Sequence, residues 1–113
     1  LSEREKEIVK EKEGNRILSK IPQNSFIISL EIKGEQLSSE ELSKKLEELM
    51  ISGVNHITFI IGGSLGLSKD VLNRSHYKLS FSKLTFPHQL MRLILLEQIY
   101  RSWKIMKKEP YHK

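Results

Sequence analysis

At 113 residues the chain is long enough for one domain with a single core and too short for two. Its 38% hydrophobic and 29% charged residues are the balance of a soluble globular protein, which excludes a disordered segment or a bundle of membrane spans, and the absence of cysteine excludes disulfides, thiolate nucleophiles and cysteine-based zinc sites. The formal charge of +5 is uneven: residues 1–68 hold 9 Lys/Arg against 11 Asp/Glu, and residues 69–113 hold 10 against 3.

In chain order, Ser2 followed by Glu5 is a capping box that predicts a helix from there to about Lys20, with Ile8, Val9, Ile17 and Leu18 on its apolar side. Pro22, Gln23 and Asn24 end that pattern. Residues 25–31 (SFIISLE) predict a buried strand, and Gly34 is expected to mark the turn beyond it. Ser38 or Ser39 can cap a second helix, with Leu42, Leu46 and Leu49 at helical spacing and Gly53 as its stop. Residues 56–61 (HITFII) predict a second strand, β-branched and aromatic enough for a sheet covered on both faces. Strand, helix, strand is the crossover unit of a parallel sheet.

Beyond Gly62 and Gly63, Ser68 can cap a short helix reaching Arg74, and residues 77–81 predict a third strand. Pro87, at a first helical position, then opens the longest helix, to about Lys107. That helix is apolar on more than one side, through Leu90, Leu93, Ile94, Leu95, Leu96, Ile99, Tyr100, Trp103 and Met106. So wide an apolar surface suggests the sheet and a second subunit as packing partners. Phe81, Phe86 and Trp103 are read most simply as core.

The glycine pair at a strand end lets the backbone turn sharply and come close to a ligand, in the region of a parallel sheet where ligands collect. The segment GGSLGLSKD lacks the spacing of a dinucleotide or phosphate loop, so a purely structural turn stands beside the ligand reading. His88 can be a surface or capping residue or a catalytic one. The four histidines have no metal-ligand spacing, and no metal is expected. The basic surplus of residues 69–113 suits a phosphate backbone, and equally a solvated face with no partner. No run of apolar residues is long enough for a membrane span and no signal-peptide pattern opens the chain, so a cytoplasmic protein is expected.

Three segments, in this order, carry a resemblance that covers nearly the whole chain: FIIGGSLGL at residues 59–67, SFSKLTFPHQLMR within residues 79–100, and YHK at residues 111–113. The chain resembles the RlmH-type SPOUT methyltransferases, which methylate N3 of pseudouridine 1915 in 23S rRNA. The resemblance implies an α/β fold, a parallel sheet flanked by helices with a C-terminal deep trefoil knot, in a single domain over residues 1–113. It also implies a further N-terminal strand and connecting segment that this sequence lacks. S-adenosylmethionine is implied as cofactor, with Leu30, Gly62, Phe81, Ser82, Lys83, Leu84, Thr85 and Phe86 around it. Tyr111, His112 and His88 are implied at the reaction centre, and Arg92, Lys107, Lys108 and Lys113 are assigned to RNA phosphates. A homodimer acting on helix 69 of the large ribosomal subunit follows from the same resemblance. The rival readings are a non-catalytic basic RNA-binding module and an inactive truncated core.

Overall fold

The computed structural model describes residues 1–113 as helix α1 (Glu3–Lys20), strand β1 (Phe26–Gln36), helix α2 (Ser39–Ile51), strand β2 (Ile57–Ile61), helix α3 (Lys69–Arg74), strand β3 (Tyr77–Ser80) and helix α4 (His88–Met106). Reciprocal capping boxes start the first two long helices. The Ser2 hydroxyl accepts the Glu5 N–H and the Glu5 carboxylate accepts the Ser2 N–H, both at 3.1 Å; Ser38 and Glu41 repeat this at 3.0 and 2.8 Å. Each box satisfies backbone donors that the first helical turn leaves without intrahelical partners.

The sheet has the order β2-β1-β3 with both pairings parallel, as the crossover pattern requires. β1 is central, and its FIISL run is buried on both faces by alternate side chains. Ile28 and Leu30 join Leu79 from β3 and pack with Leu42 and Leu46 of α2 and Leu95 of α4. Ile27 points the other way, to Ile60, Leu67 and Val71, with Ile17 and Leu18 of α1 against them. The result is helix, sheet, helix in three layers, with α2 and α4 on one face and α1 and α3 on the other. Small residues let α2 and α4 lie parallel and close: Ser39 donates to the Gln98 side-chain oxygen at 2.6 Å and Ser43 to the Ser102 carbonyl at 3.0 Å.

Three expectations need correction. Gly34 is not in a turn. β1 runs on to Gln36, and after Leu30 pairs with Leu79 the next pairing is Glu35 with Leu79, so residues 31–34 bulge out of the ladder. A Cβ at Gly34 would stand 2.6 Å from the Lys78 carbonyl oxygen, so the glycine serves close approach between strands. Pro87 is the residue before α4 rather than its first, because its ψ of 146° is extended. Trp103 is not core: it is 47% exposed, along with Leu90, Leu93, Leu96 and Tyr100 on the same helix. One side of α4 packs on α2 and the sheet and the other is open.

Candidate functional site

The parallel sheet aligns the carboxyl ends of its strands, with Leu30 paired to Ile61 on one side and to Leu79 on the other. Directly past this row the three chains separate, leaving about 730 Å³ of unfilled space open to solvent. Its walls are Leu30, Ile61, Leu79, Phe81, Phe86 and Met91, with the Gly62–Gly63 backbone on one side and the Ser80, Ser82 and Thr85 residues on another. A cleft lined mostly by apolar side chains with a few polar groups suits an organic ligand. A second lobe shares Gly62, Gly63, Thr85, Phe86 and Met91 and extends past Ser64 to Pro87 and His88.

The glycine turn is held in shape from both sides. Within it, Gly66 has φ +85°, and its N–H donates to the Gly63 carbonyl at 3.0 Å. A Cβ at Gly62 would lie 2.9 Å from the Leu67 side chain and 3.0 Å from the carbonyl carbon of Gly66, so only glycine fits there without movement. From outside, successive α1 residues grip the two ends of the loop. The Glu13 carboxylate accepts the Gly63 N–H at 3.4 Å, and the Gly14 backbone lies so close to Ser68 that a side chain would collide with its hydroxyl. Ser68 in turn caps α3, its hydroxyl accepting the Val71 N–H at 3.3 Å. The opposite wall is a compact turn, where the Ser82 hydroxyl accepts the Leu84 N–H at 3.0 Å and the Ser80 hydroxyl donates to the Ser82 carbonyl at 3.0 Å.

Seven of the eight residues expected around a cofactor, Leu30, Gly62, Phe81, Ser82, Leu84, Thr85 and Phe86, therefore line one cavity. Lys83 is in the same segment but exposed and outside that lining, and His88 lies in the adjoining lobe. Sequence reasoning missed Glu31 and Ile32, which the β1 bulge brings into the wall, and Met91 on the first turn of α4. It also missed Glu13, whose partner is fifty positions away and leaves no local pattern.

The terminal residues gather elsewhere. After α4 the chain folds back along the helix, and the Tyr111 hydroxyl donates to Glu97 Oε2 at 2.9 Å. Arg101 donates to both oxygens of the same carboxylate, at 3.3 and 2.9 Å, and its guanidinium lies 4.9 Å from the Tyr111 ring centre. His112 joins through both nitrogens, with Arg101 3.0 Å from Nδ1 and Glu40 3.1 Å from Nε2. The Arg101 hydrogen bonds hold Glu97 below the usual carboxylate range, outweighing the opposing effect of burial, with further help from Tyr111. The hydrogen bond to Glu97 raises Tyr111 above the ordinary phenol value. Tyr111 and His112 thus form a tied cluster that lines neither lobe of the cavity.

The assigned cations are spread out. Arg92 is exposed one turn into α4, and Lys107 and Lys108 are exposed at its far end, about 22 Å further along the axis at 1.5 Å per residue. Lys113 is exposed at the tail. The remaining histidines support the sheet: His76 Nδ1 accepts the Ile27 N–H at 2.8 Å, and His56 Nδ1 lies 2.8 Å from the Ser25 hydroxyl. No group of three or more His, Asp or Glu side chains is placed to hold a metal ion, and no helix is long and apolar enough to cross a membrane.

Comparison with known proteins gives one family throughout. The family described as "Predicted SPOUT methyltransferase" matches residues 1–112. Ribosomal RNA large subunit methyltransferase H of Finegoldia magna is 64% identical over 113 residues, spanning 100% of this chain and 71% of that protein. The proteins of the same name from Enterococcus faecalis and Clostridioides difficile are 62% and 60% identical over the same shares.

Proposed function

Because the chain belongs to the SPOUT methyltransferase family and is similar along its whole length to ribosomal RNA large subunit methyltransferases H, we propose that its strand-end cavity binds S-adenosylmethionine and that it methylates N3 of pseudouridine 1915 in helix 69 of 23S rRNA. The chain is an enzyme of ribosomal RNA methylation; the cofactor, the nucleotide and the residue roles are the parts proposed. The observation that carries the reading is the convergence of seven expected cofactor residues, from three separate segments, on one cavity.

The cavity fits the cofactor. Phe81, Phe86 and Met91 offer apolar surface for a flat base, and Gly62 and Gly63 bring backbone rather than side chains to the ligand. When bound, S-adenosylmethionine supplies a methyl group already activated by the positive charge on its sulfur. The protein needs no covalent nucleophile, in keeping with its lack of cysteine. Its work is to hold the donor in line with the target nitrogen and keep water out, and placement of this kind can account for much of a barrier reduction. Leu30, Ile61 and Leu79 close the floor of the cavity, and the two compact turns fix its sides. His88, which lines the lobe beyond, meets the acceptor base in this reading.

In this reading Tyr111 stacks on the target base and His112 borders the proton that the ring nitrogen must lose. Both are tied to Glu97, Arg101 and Glu40, so their action at the base requires that tie to open. Arg92, Lys107, Lys108 and Lys113 meet RNA phosphates, and Lys83 stands at the cavity rim. Residues 1–113 act as a single domain. The open face of α4, with Leu90, Leu93, Leu96, Tyr100 and Trp103, receives a second copy in a homodimer, and the trefoil knot and cytoplasmic site of action belong to the same reading.

Calorimetry with S-adenosylmethionine, combined with transfer of a labelled methyl group to 23S rRNA, tests it. Saturable cofactor binding and label confined to helix 69 are expected. RNA affinity that falls steeply with salt, without cofactor binding, would make the chain a non-catalytic RNA-binding module instead. A monomer at every concentration in sedimentation would remove the dimer.

A further inference from the structure

Among the residues that line the main cavity, Glu31 is the one with an ionisable side chain. It stands there because β1 leaves the ladder directly after Leu30, so residues 31–34 bulge away from Leu79 and turn the first of them into the wall. The residue is half-buried, and its side chain makes no hydrogen bond or ion pair within the chain, so the carboxylate is free for a ligand. An unpaired anion in an otherwise uncharged wall is available to a positive charge that a ligand brings to it. The ligand assigned to this cavity carries that charge on its sulfur.

Resting on that assignment, we propose that Glu31 reads the positive charge of the methyl donor and so sets the preference of the site for substrate over product. In the transfer the target nitrogen, having released its proton to water, uses the freed pair to take the methyl group, and the sulfur keeps the pair of electrons from the broken bond. The sulfonium thereby becomes a neutral thioether. An attraction present before the step is gone after it, and S-adenosylhomocysteine is held less tightly than S-adenosylmethionine by this residue alone. Glu31 is a specificity-determining residue that favours loading and product release.

Calorimetric titration of the whole chain with both compounds tests this in wild type, Glu31→Gln and Glu31→Asp, with thermal unfolding as a check on folding. Glu31→Gln is expected to weaken S-adenosylmethionine about fivefold, in the range of partly exposed ion pairs, and S-adenosylhomocysteine less than about twofold. Glu31→Asp, which keeps the charge, is expected to recover most of the preference. The wild-type preference is expected to shrink as salt is raised. Equal losses for the two ligands, or no loss, overturn the proposal while leaving the cavity assignment standing. Failure of wild type to bind either ligand overturns the cavity assignment, and this proposal with it.

Discussion

Replacing Gly62 by alanine adds one methyl group at the most confined point of the glycine turn. The new Cβ would sit 2.9 Å from two atoms of Leu67 and 3.0 Å from the carbonyl carbon of Gly66. Leu67 cannot swing aside, since it is 7% exposed and wedged among Ile27, Ile60 and Val71, and the Gly66 atom is backbone. The turn itself must therefore move. Overpacking of this kind costs about 1–3 kcal/mol, and its relief displaces the wall of the cavity. If that cost falls on the ligand-binding geometry, S-adenosylmethionine affinity drops between about five- and 150-fold at 1.4 kcal/mol per decade. Calorimetric titration beside thermal unfolding separates loss of affinity from loss of fold. Gly53→Ala is the control: its φ of +103° makes alanine strained, but nothing stands within 4 Å of the new methyl group and the site is at the far end of α2. It should cost about 1 kcal/mol of stability and leave affinity alone. If Gly62→Ala binds the cofactor within twofold of wild type and unfolds at the same temperature, the turn is not confined as described, and the reasoning fails.

Glu13→Ala removes the carboxylate that accepts the Gly63 N–H, and should raise amide hydrogen exchange at Gly63 and weaken cofactor binding about fivefold, whereas Glu13→Gln, which keeps an acceptor, should do neither. Tyr77 has a buried hydroxyl with no hydrogen-bond partner, and burial first, then Glu35, pushes its pKa up to about 12. Tyr77→Phe keeps the ring under Lys45, whose ammonium is 3.9 Å from its centre, and should stabilise the protein by about 1 kcal/mol in chemical denaturation; a loss of that size would refute the point. In ultraviolet titration of wild type, Tyr77 should ionise only near pH 12. Because its folded value is raised, the protein feels no penalty from Tyr77 ionisation below about pH 10 and loses stability as pH rises from there towards 12. Glu97 has the opposite sign: its depressed value makes the tail tie complete above the ordinary carboxylate range and loosens it as pH falls through the depressed value. Tyr111 ring resonances should shift towards those of a free tyrosine over that acidic interval, and an unchanged spectrum would count against the tie.

Local signals were read well from sequence. Ser2 with Glu5 and Ser38 with Glu41 lie three positions apart, and backbone donors at a helix start have few other partners, so the helix starts could be placed closely. The parallel sheet followed from a helix between two runs too apolar for an exposed face. Gly34 was misread because glycine serves both turns and close backbone contacts, and the Lys78 carbonyl that decides between them is far along the chain. Trp103 was misread because periodicity reports that a helix face is apolar and not whether this chain covers it. The residues expected around a cofactor were named from the resemblance of residues 81–86, and all of these but Lys83 line the strand-end cavity. Glu13 and Glu31 were invisible, since each looks like any surface glutamate until the loop or bulge beside it is known. The YHK tail was legible as a motif, but its ties to Glu40, Glu97 and Arg101 depend on how the chain doubles back.

The central place of β1 also shapes how the protein comes into being. Neither of its neighbours is supplied by a hairpin: its pairing with β2 brings together residues 31 positions apart, as at Ser25 and His56, and with β3 residues 49 apart, as at Ile27 and His76. Loops of that length must close before any ladder contact repays their entropy, which slows folding. During synthesis β1 leaves the ribosome ahead of both partners, with an apolar FIISL run and two bare edges. Until Tyr77 emerges, the middle of the sheet is the segment of this chain most open to pairing with the wrong strand.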